Sequence, residues 1–187
     1  MQNRPNTAGM TDGLLMQKVK EGDLSQAAIL FHRYHRKIYN YLGKMSGDYH
    51  TAEDLTQTVF EKLIQYRKSF DADQNFEGWI YRIAKNSFID YTHQQKKQPA
   101  KFEINDQMTQ LALVDQDMDT AEKEDKIHKA LESLPVEYRE VLVLTRFQKL
   151  KYHEVAVMMH TTEANIKIKV YRAIEKLRSN YFKLESI

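Results

Sequence analysis

The stretch from Lys151 to Arg178 constrains the fold more than any other part of the sequence. It reads KYHEVAVMMHTTEANIKIKVYRAIEKLR. Ala156 and Met159 have the spacing of the inward side of a short helix, and a polar turn follows at residues 160–162. A second helix is predicted by an apolar stripe at helical spacing, formed by Ile166, Val170, Ala173, Ile174 and Leu177. Two amphipathic helices joined in this way are typical of a helix-turn-helix.

The outer side of the second predicted helix carries side chains that suit a DNA-reading surface. Lys167, Ile168, Tyr171 and Arg172 lie together opposite the apolar stripe, where they can enter a major groove. Residues 163–183 contain six Lys or Arg and two Glu, a local net charge of +4. The same pattern also occurs in helical proteins that never bind DNA, so it is the charge that favours a phosphate-lined partner.

Charge divides the 187 residues into three segments. Residues 1–97 carry 14 basic and 11 acidic groups, residues 98–121 carry 1 and 5, and residues 122–187 carry 13 and 10. Two mildly basic bodies are therefore predicted on either side of an acidic linker. The absence of cysteine excludes disulfides and thiolate metal sites. No apolar run reaches membrane-spanning length, so we expect a cytoplasmic protein without membrane insertion.

The first body is predicted to be helical throughout. A short helix around Leu14 to Val19 ends near Gly22, and Thr51 with Asp54 has the spacing of a capping pair that opens a later helix. That later helix buries a stripe of Ala52, Leu55, Val59 and Leu63. Between them, a long helix is predicted by apolar positions that repeat every three or four residues, namely Ala27, Leu30, Phe31, Tyr34, Ile38, Tyr41, Leu42 and Met45.

A further helix is predicted from Phe76 to about Gln95, after the polar loop SFDADQN at residues 69–75. Trp79 is interpreted as a core residue. Aromatic rings beside basic and amide side chains on one helix suit single-stranded nucleic acid, whose unstacked bases can lie against rings or enter small pockets. The polar positions of this helix are Arg82, Lys85, Asn86 and Asp90.

The chain is thus predicted to be an all-α protein with two small helical domains. An N-terminal tail covers residues 1–12, the first domain residues 13–97, a flexible acidic linker residues 98–119 and the second domain residues 120–187. Pro135 fits the first turn of a helix in the second domain. The apolar positions there, ahead of the helix-turn-helix, are Ile127, Leu131, Leu134, Val141, Leu142 and Leu144.

Taken together, these patterns resemble the extracytoplasmic-function (ECF) sigma factors, the small two-domain members of the sigma-70 family. AEDLTQTVFEKL and FEGWIYRIAKNSFIDY resemble region 2, whereas LESLPVEYREVLVL, YHEVAVMM and IKIKVYRAIEKL resemble region 4. The resemblance covers about Leu15 to Leu177. It implies a non-enzymatic factor that binds core RNA polymerase, recognises the −10 and −35 promoter elements, promotes strand opening and directs transcription initiation.

The resemblance also implies roles for individual residues. By this resemblance, Asp54, Gln57 and Phe60 contact the clamp helices of the polymerase largest subunit, and Glu53 and Glu61 lie beside them. A second contact is expected with the polymerase flap. The −35 element is read by Lys167, Ile168, Tyr171 and Arg172, with Lys169 as a phosphate contact. Binding of the −10 element, including capture of a flipped base, is implied for Phe70, Asp73, Asn75, Phe76, Arg82, Lys85 and Asn86.

The sequence departs from the family pattern in the helix-turn-helix. His160 stands where glycine is common, and Ala164 and Asn165 replace a common Gly-Thr pair. Ile168 replaces a common serine and can meet a thymine methyl group, so the promoter sequence rather than DNA binding itself is affected. The family often has an anti-sigma partner, which is possible here. No cofactor or metal is implied, because His32 and His35 lack a third ligand.

Two other interpretations compete with this one. A helix-turn-helix repressor or activator with a ligand-sensing or dimerising N-terminal domain explains residues 151–178 equally well. It gives no purpose to Asp54, Gln57, Phe60 and the loop SFDADQN. A helical enzyme using His153, Glu154 and His160 is weakly supported, because their spacing is not that of a zinc protease helix.

Overall fold

The computed structural model describes residues 9–97 and 126–185, and all regular structure within these two stretches is helical. This confirms the predicted all-α fold class. The predicted acidic linker at residues 98–119 and most of the predicted N-terminal tail lie outside the described residues.

Four α-helices build the first domain. They are α1 (Asp12–Glu21), α2 (Ser25–Ser46), α3 (Tyr49–Gln65) and α4 (Phe76–Lys97), with a 3₁₀ turn at Arg67–Ser69. The long repeat in the sequence corresponds to α2, and the predicted start of α4 at Phe76 is confirmed. Helix α2 lies against α1, α3 and α4, so it forms the centre of the domain.

The junction of α2 and α3 differs from the prediction. Gly47 ends α2 with a left-handed φ of 75°. Helix α3 begins at Tyr49, because the Asp48 carboxylate accepts backbone hydrogen bonds from His50 at 3.1 Å and Thr51 at 2.9 Å. The predicted capping pair of Thr51 with Asp54 is therefore wrong. Burial raises the pKa of Asp48, but the hydrogen bonds from Thr51 and His50 outweigh it, so this pKa lies below its usual value.

Helix α1 is fixed to α2 by a small polar cluster. The Tyr34 hydroxyl donates to Asp12 Oδ2 at 2.6 Å, and Arg33 Nη1 donates to Asp12 Oδ1 at 2.5 Å. Burial, reinforced by this bond to Asp12, raises the pKa of Tyr34 well above its ordinary value. Below the cluster, the apolar side of α1 is fully buried in the shared core through Leu15, Met16 and Val19.

The second domain has four helices in the described residues. Helix α5 covers residues 126–132, α6 spans Val136–Leu142, α7 spans Tyr152–Met158 and α8 spans Glu163–Glu185. Pro135 is the N-cap of α6, and residues Val143–Phe147 continue α6 as a π-helix. The predicted apolar positions are buried with the exception of Ile127, which is exposed.

The helix-turn-helix prediction is confirmed by α7 and α8. Ile166, Val170 and Ala173 of α8 are buried. His160 adopts a left-handed φ of 50°, so this residue accepts the conformation for which the family uses glycine. Glu154 is structural, because its carboxylate accepts a hydrogen bond from the backbone amide of Lys151 at 2.7 Å and caps the start of α7.

The two domains contact each other. Helix α4 packs against α7, and α2 packs against the π-helical continuation of α6. The Tyr81 hydroxyl in α4 is 3.0 Å from Gln148 Oε1, and the buried apolar side chains of both domains form one continuous cluster.

Candidate functional surfaces

One side of α3 is acidic and mostly exposed. Glu53, Asp54, Gln57 and Glu61 are all exposed, and Phe60 is half-buried at their edge. Their helical spacing places all five on one face. The Gln57 amide donates to Glu61 Oε1 at 3.0 Å, one turn further along. We call these five residues the α3 surface.

The α3 surface continues onto α2 through aromatic contacts. The rings of Phe60 and Phe31 have centroids 4.8 Å apart, and His35 lies 4.8 Å from Phe31. Phe31 belongs to the apolar repeat that predicted α2, yet 39% of this residue is exposed. Burial, followed by the negative charge of Glu53, raises the pKa of Tyr39 on the same side of α2. An aromatic pair of one exposed and one half-buried ring beside acidic groups suits a partner that brings both apolar and basic side chains.

The loop between the 3₁₀ turn at Arg67–Ser69 and α4 is anchored by its two end residues. Phe70 is fully buried and Phe76 is 2% exposed. Phe70 packs edge-on against Trp79 with centroids 5.3 Å apart, and Lys20 Nζ donates to the Phe70 carbonyl at 2.6 Å. The buried Trp79 agrees with its interpretation as core. Stacking of a base on the Phe70 or Phe76 ring is incompatible with this burial, so these rings position the loop instead.

The residues between the two anchors are exposed. The Asn75 side chain accepts a hydrogen bond from the Glu77 amide at 3.0 Å, and its carbonyl accepts one from Trp79 at 3.1 Å, so it begins α4. The backbone amide of Asp73 donates to Asp71 Oδ1 at 3.2 Å, and the Asp73 residue is exposed. The loop is therefore short and exposed, with two acidic side chains, Asp71 and Asp73.

A cavity of about 340 Å³ opens between α3 and α4. Across it, Lys62 Nζ and Asp90 Oδ2 form an ion pair at 2.9 Å. Asn86 lies on this side of α4, as the predicted base-capturing residue should. The cavity is lined by Lys62, Tyr66, Ile83, Asn86, Ile89 and Asp90.

Sequence reasoning missed the contribution of α3 to this cavity. Lys62 and Tyr66 lie four residues apart and outside the buried stripe of α3, and Tyr66 is 47% exposed. Asn86 and Asp90 have the same spacing on α4. Two such polar pairs, four residues apart on consecutive helices, are the only sequence signal for this cavity. Only the packing of the helices shows that the pairs face each other.

Lys85 lies on a different side of α4 from Asn86, whereas Arg82 is one turn before Asn86 and lies between them. Lys85 Nζ donates to Glu140 Oε2 of the second domain at 2.9 Å. Arg82 and Lys85 both border a narrow gap between the domains, of about 10 Å³. The structure thus separates Lys85, one of the two predicted phosphate contacts, from the predicted base contact.

Helix α8 exposes the face that was predicted to read DNA. Lys167 and Arg172 are exposed, Ile168 is 49% exposed and Tyr171 is 68% exposed. Lys169 is half-buried at the edge of this face and donates to Glu137 Oε2 at 2.9 Å.

The pairing of Lys169 affects its partner. The hydrogen bond from Lys169, followed by its positive charge, lowers the pKa of Glu137. Lys167 pairs with Glu163 at 3.0 Å, one turn earlier on α8. Both partners are exposed carboxylates, so these ion pairs are weak and a phosphate can replace them.

The two described stretches of the chain, residues 9–97 and 126–185, lack two kinds of feature. Neither stretch contains three His, Cys, Asp or Glu side chains grouped to hold a metal ion. Neither contains a helix that is long and apolar enough to span a membrane.

Comparison with known proteins agrees with this arrangement. The chain matches the family models Sigma-70 region 2 over residues 30–98 and Sigma-70, region 4 over residues 124–177. It is 30% identical over 155 residues to the ECF RNA polymerase sigma factor SigM of Bacillus subtilis, covering 81% of this chain and 93% of SigM. It is 27% identical over 180 residues to the ECF RNA polymerase sigma-E factor of Escherichia coli, covering 90% of this chain and 93% of that one.

Solved structures share the fold. CnrH in complex with the cytosolic domain of CnrY gives a TM-score of 0.69 at 19% identity, covering 90% of this chain and 95% of that chain. The sigma factor RpoE from Bartonella quintana, in complex with the anti-sigma factor NepR, gives a TM-score of 0.62 at 20% identity. The match covers 82% of this chain and 94% of that chain.

The chain belongs to the ECF group of the sigma-70 family. It is a DNA-binding transcription initiation factor, and it acts with core RNA polymerase at promoter DNA. A helix-turn-helix repressor or activator is not favoured, because the family matches include the first domain as well as the second.

Proposed function

We propose that the α3 surface binds the clamp helices of the largest subunit of core RNA polymerase. Its acidic side chains are exposed and have no structural task in the core. The neighbouring pair Phe31 and Phe60 supplies the apolar contact area that a stable protein interface needs at its centre. A basic and partly apolar helix pair fits such a surface. The second domain, on the same proposal, meets the polymerase flap.

We further propose that the cavity beside Asn86 receives a base flipped out of the non-template strand of the −10 element. Its volume falls within the range of small-ligand sites. The Asn86 amide can donate and accept, Lys62 donates and Asp90 accepts, so the edge of a base finds partners of both kinds. Tyr66 offers a ring for stacking. Unstacking a base costs a few kcal/mol, which binding in the cavity offsets, so the open strands are stabilised.

The exposed loop next to the cavity completes the proposed −10 site. Asp73 and Asn75 reach the strand on one side, with Phe70 and Phe76 as buried anchors. Arg82 and Lys85 hold backbone phosphates as the strand passes over α4.

For the −35 element, we propose that α8 enters the major groove of duplex DNA. Lys167, Tyr171 and Arg172 contact base edges and phosphates, Ile168 meets a thymine methyl group, and Lys169 binds a phosphate. Because the two domains are covalently joined, binding of one raises the effective concentration of the other at the same promoter. The chemistry of RNA synthesis belongs to the polymerase. The factor works where the polymerase is, in the cytoplasm.

An anti-sigma protein is a further proposed partner. Support comes from the relatives of similar fold, since the Bartonella quintana sigma factor was solved with an anti-sigma factor.

The observation that carries the proposal is the division of α8 into two faces. Ile166, Val170 and Ala173 are buried, whereas Lys167, Tyr171 and Arg172 project into solvent. Run-off transcription with core polymerase and a genomic promoter library tests the whole function. Specific transcripts that depend on the protein are expected, and their absence would contradict it.

Permanganate reactivity of unpaired thymines tests the base cavity on a promoter recovered in this way. Asn86→Ala should reduce the reactivity at the −10 element. Gln94→Ala serves as the control, because Gln94 is an exposed amide two turns further along α4. Equal reactivity of the two variants would remove Asn86 from the site.

A further inference from the structure

Lys20, near the end of α1, reaches the loop that precedes α4. Its Nζ donates to the carbonyl oxygen of Phe70 at 2.6 Å, across 50 positions of the sequence. Lys20 is half-buried and Phe70 is fully buried. A hydrogen bond from an ammonium group is stronger than one between neutral groups, and partial burial strengthens it further. This contact therefore holds Phe70 in place from a helix that is distant in the sequence.

Phe70 is the residue at which the chain changes direction. The 3₁₀ turn ends there, and Phe70 is extended, with a φ of −68° and a ψ of 129°. Its amide donates to the Arg67 carbonyl at 3.3 Å, so it still belongs to the turn. Its carbonyl belongs to the peptide unit that joins it to Asp71. Because a peptide unit is planar, holding this oxygen orients the first bond of the exposed segment, residues 71–75.

The other end of the loop also depends on α1. Phe76 packs edge-on against the Tyr34 ring of α2, with centroids 5.0 Å apart. The Tyr34 hydroxyl in turn donates to Asp12 of α1 at 2.6 Å. All residues of the exposed segment lie between these two anchors. Its placement therefore depends on contacts at its ends, and α1 contributes to both.

We propose that Lys20 is a positioning residue for recognition of the −10 element. By holding the Phe70 carbonyl, it presents the exposed segment, including Asp73, to the non-template strand in one orientation. A carboxylate discriminates between bases only from a defined direction, because a hydrogen bond weakens steeply when it is bent. This inference rests on the proposed −10 role of the loop and adds the residue that orients it.

A matched control is available on the same helix. A basic side chain in the last turn of a helix also stabilises the helix dipole, whatever else it contacts. Lys18 lies in the same last turn of α1 and is likewise half-buried. Lys18→Met and Lys20→Met each remove one charge from this helix end, whereas Lys20→Met also removes the donor to Phe70.

Trp79 reports on the contact in the free protein. It is the only tryptophan of the sequence, it is 6% exposed, and its ring centroid lies 5.3 Å from that of Phe70. Once Phe70 is released, acrylamide should reach Trp79 more often. We expect the acrylamide quenching constant of Trp79 to rise about twofold or more in Lys20→Met and to stay unchanged in Lys18→Met.

Base selectivity of the complex with core polymerase is the second measurement. The probes are the fluorescent non-template −10 strand of a promoter recovered by run-off transcription and the same strand with single bases replaced. Asp73→Ala identifies the base that the loop reads, as the one whose replacement then costs less affinity. Lys20→Met should lower the affinity ratio of the original to this replaced strand about threefold or more, and Lys18→Met should leave it unchanged.

A double variant distinguishes positioning from a general loss of stability. If Lys20 acts through the loop, Lys20→Met should lower the ratio little further once Asp73→Ala is present, because the contact that it positions is already gone. Independent effects would multiply instead.

Chemical rescue tests the ammonium group itself. Aminoethylation of Lys20→Cys with 2-bromoethylamine returns an ammonium group on a side chain of nearly the same length. The reaction is confined to this position, because the natural sequence has no cysteine. The modified protein should regain the quenching constant and the affinity ratio of the unaltered protein, whereas unmodified Lys20→Cys should behave like Lys20→Met.

Four results would overturn the proposal. These are equal quenching in Lys20→Met and Lys18→Met, an unchanged affinity ratio in Lys20→Met, multiplying effects in the double variant, and no rescue by aminoethylation. All four leave the proposed −10 role of the loop in place. An affinity ratio that Asp73→Ala lowers at no base would contradict that role and this inference with it, and run-off transcription by the unaltered protein tests the whole function separately.

Discussion

Arg139 of α6 donates a hydrogen bond from Nη1 to the carbonyl oxygen of Met45, near the C-terminal end of α2, at 2.6 Å. Its Nη2 donates to the carbonyl oxygens of Glu132 and Leu134 within the second domain. Burial lowers the pKa of Arg139 below its ordinary value, although it remains a cation at neutral pH. One side chain thus links the turn after α5 to the end of a helix in the other domain.

Arg139→Met should lower the free energy of unfolding by about 2 to 3 kcal/mol, because methionine keeps the apolar stem but leaves these carbonyl groups without their donor. Urea denaturation followed by circular dichroism measures the change. Arg146→Met is the matched control, since Arg146 is an exposed arginine in the π-helical continuation of α6. Equal midpoints for the two variants would show that the three carbonyl contacts contribute little.

Gln57→Ala with Glu61→Ala should weaken binding of core polymerase about tenfold, which corresponds to about 1.4 kcal/mol. The pair lies at the centre of the α3 surface. Gln17→Ala with Glu21→Ala is a well-matched control, because these residues form the same pair one turn apart on α1, at 2.9 Å. Titration of labelled protein with core polymerase gives both affinities. If both double variants lose affinity equally, the α3 surface has no special role.

Lys167→Ala with Arg172→Ala should reduce the affinity of the polymerase complex for −35 duplex by about 2 to 6 kcal/mol in total, while polymerase binding stays intact. The dependence of affinity on salt should become shallower as well, because phosphate contacts are lost. Arg178→Ala with Lys183→Ala removes the same charge from exposed positions nearer the end of α8. Loss of polymerase binding in the first variant would indicate misfolding and contradict the assignment.

Asp48→Ala should destabilise the first domain by about 1 kcal/mol at neutral pH, because it removes the N-cap of α3. The pKa of Asp48 is lowered in the folded protein, so its stabilising effect is complete above its unfolded value of 3.8 and is lost as the pH falls through the lower folded value. The difference from the unaltered protein should therefore shrink below about pH 4. Asp48→Asn keeps a capping side chain and should retain most of the stability in urea denaturation at pH 7. A difference that is constant down to pH 2 would contradict this linkage.

The helices and the two domains could be predicted because their signals are local. The stripe of α2, for example, buries Leu30, Ile38 and Leu42 fully, as a repeat of 3.6 residues requires. Phe31 belongs to the same repeat but lies at its edge, where it meets Phe60 of α3 instead of the core. Whether such an edge position is covered depends on the neighbouring helix, which the repeat does not specify.

The candidate surfaces also differ in whether the sequence could predict them. The exposed faces of α3 and α8 follow from helical spacing within one element. The cavity beside Asn86 requires Lys62 of α3 to face Asp90 of α4, and the pairing of Lys85 with Glu140 joins residues that are 55 positions apart. Contacts of this kind leave no periodic signal, because they arise only when separate elements pack together.

The first helix has a consequence for dissecting the protein. The region 2 match begins at residue 30, after α1 has ended. Yet Leu15 and Met16 are fully buried, and Lys20 ties down the carbonyl of Phe70 at the base of the loop. A fragment that begins at residue 30 would lack α1, so apolar side chains that α1 covers would be exposed to solvent. It would also lack the hydrogen bond from Lys20 to the Phe70 carbonyl. The unit that folds is longer than the unit that sequence families recognise.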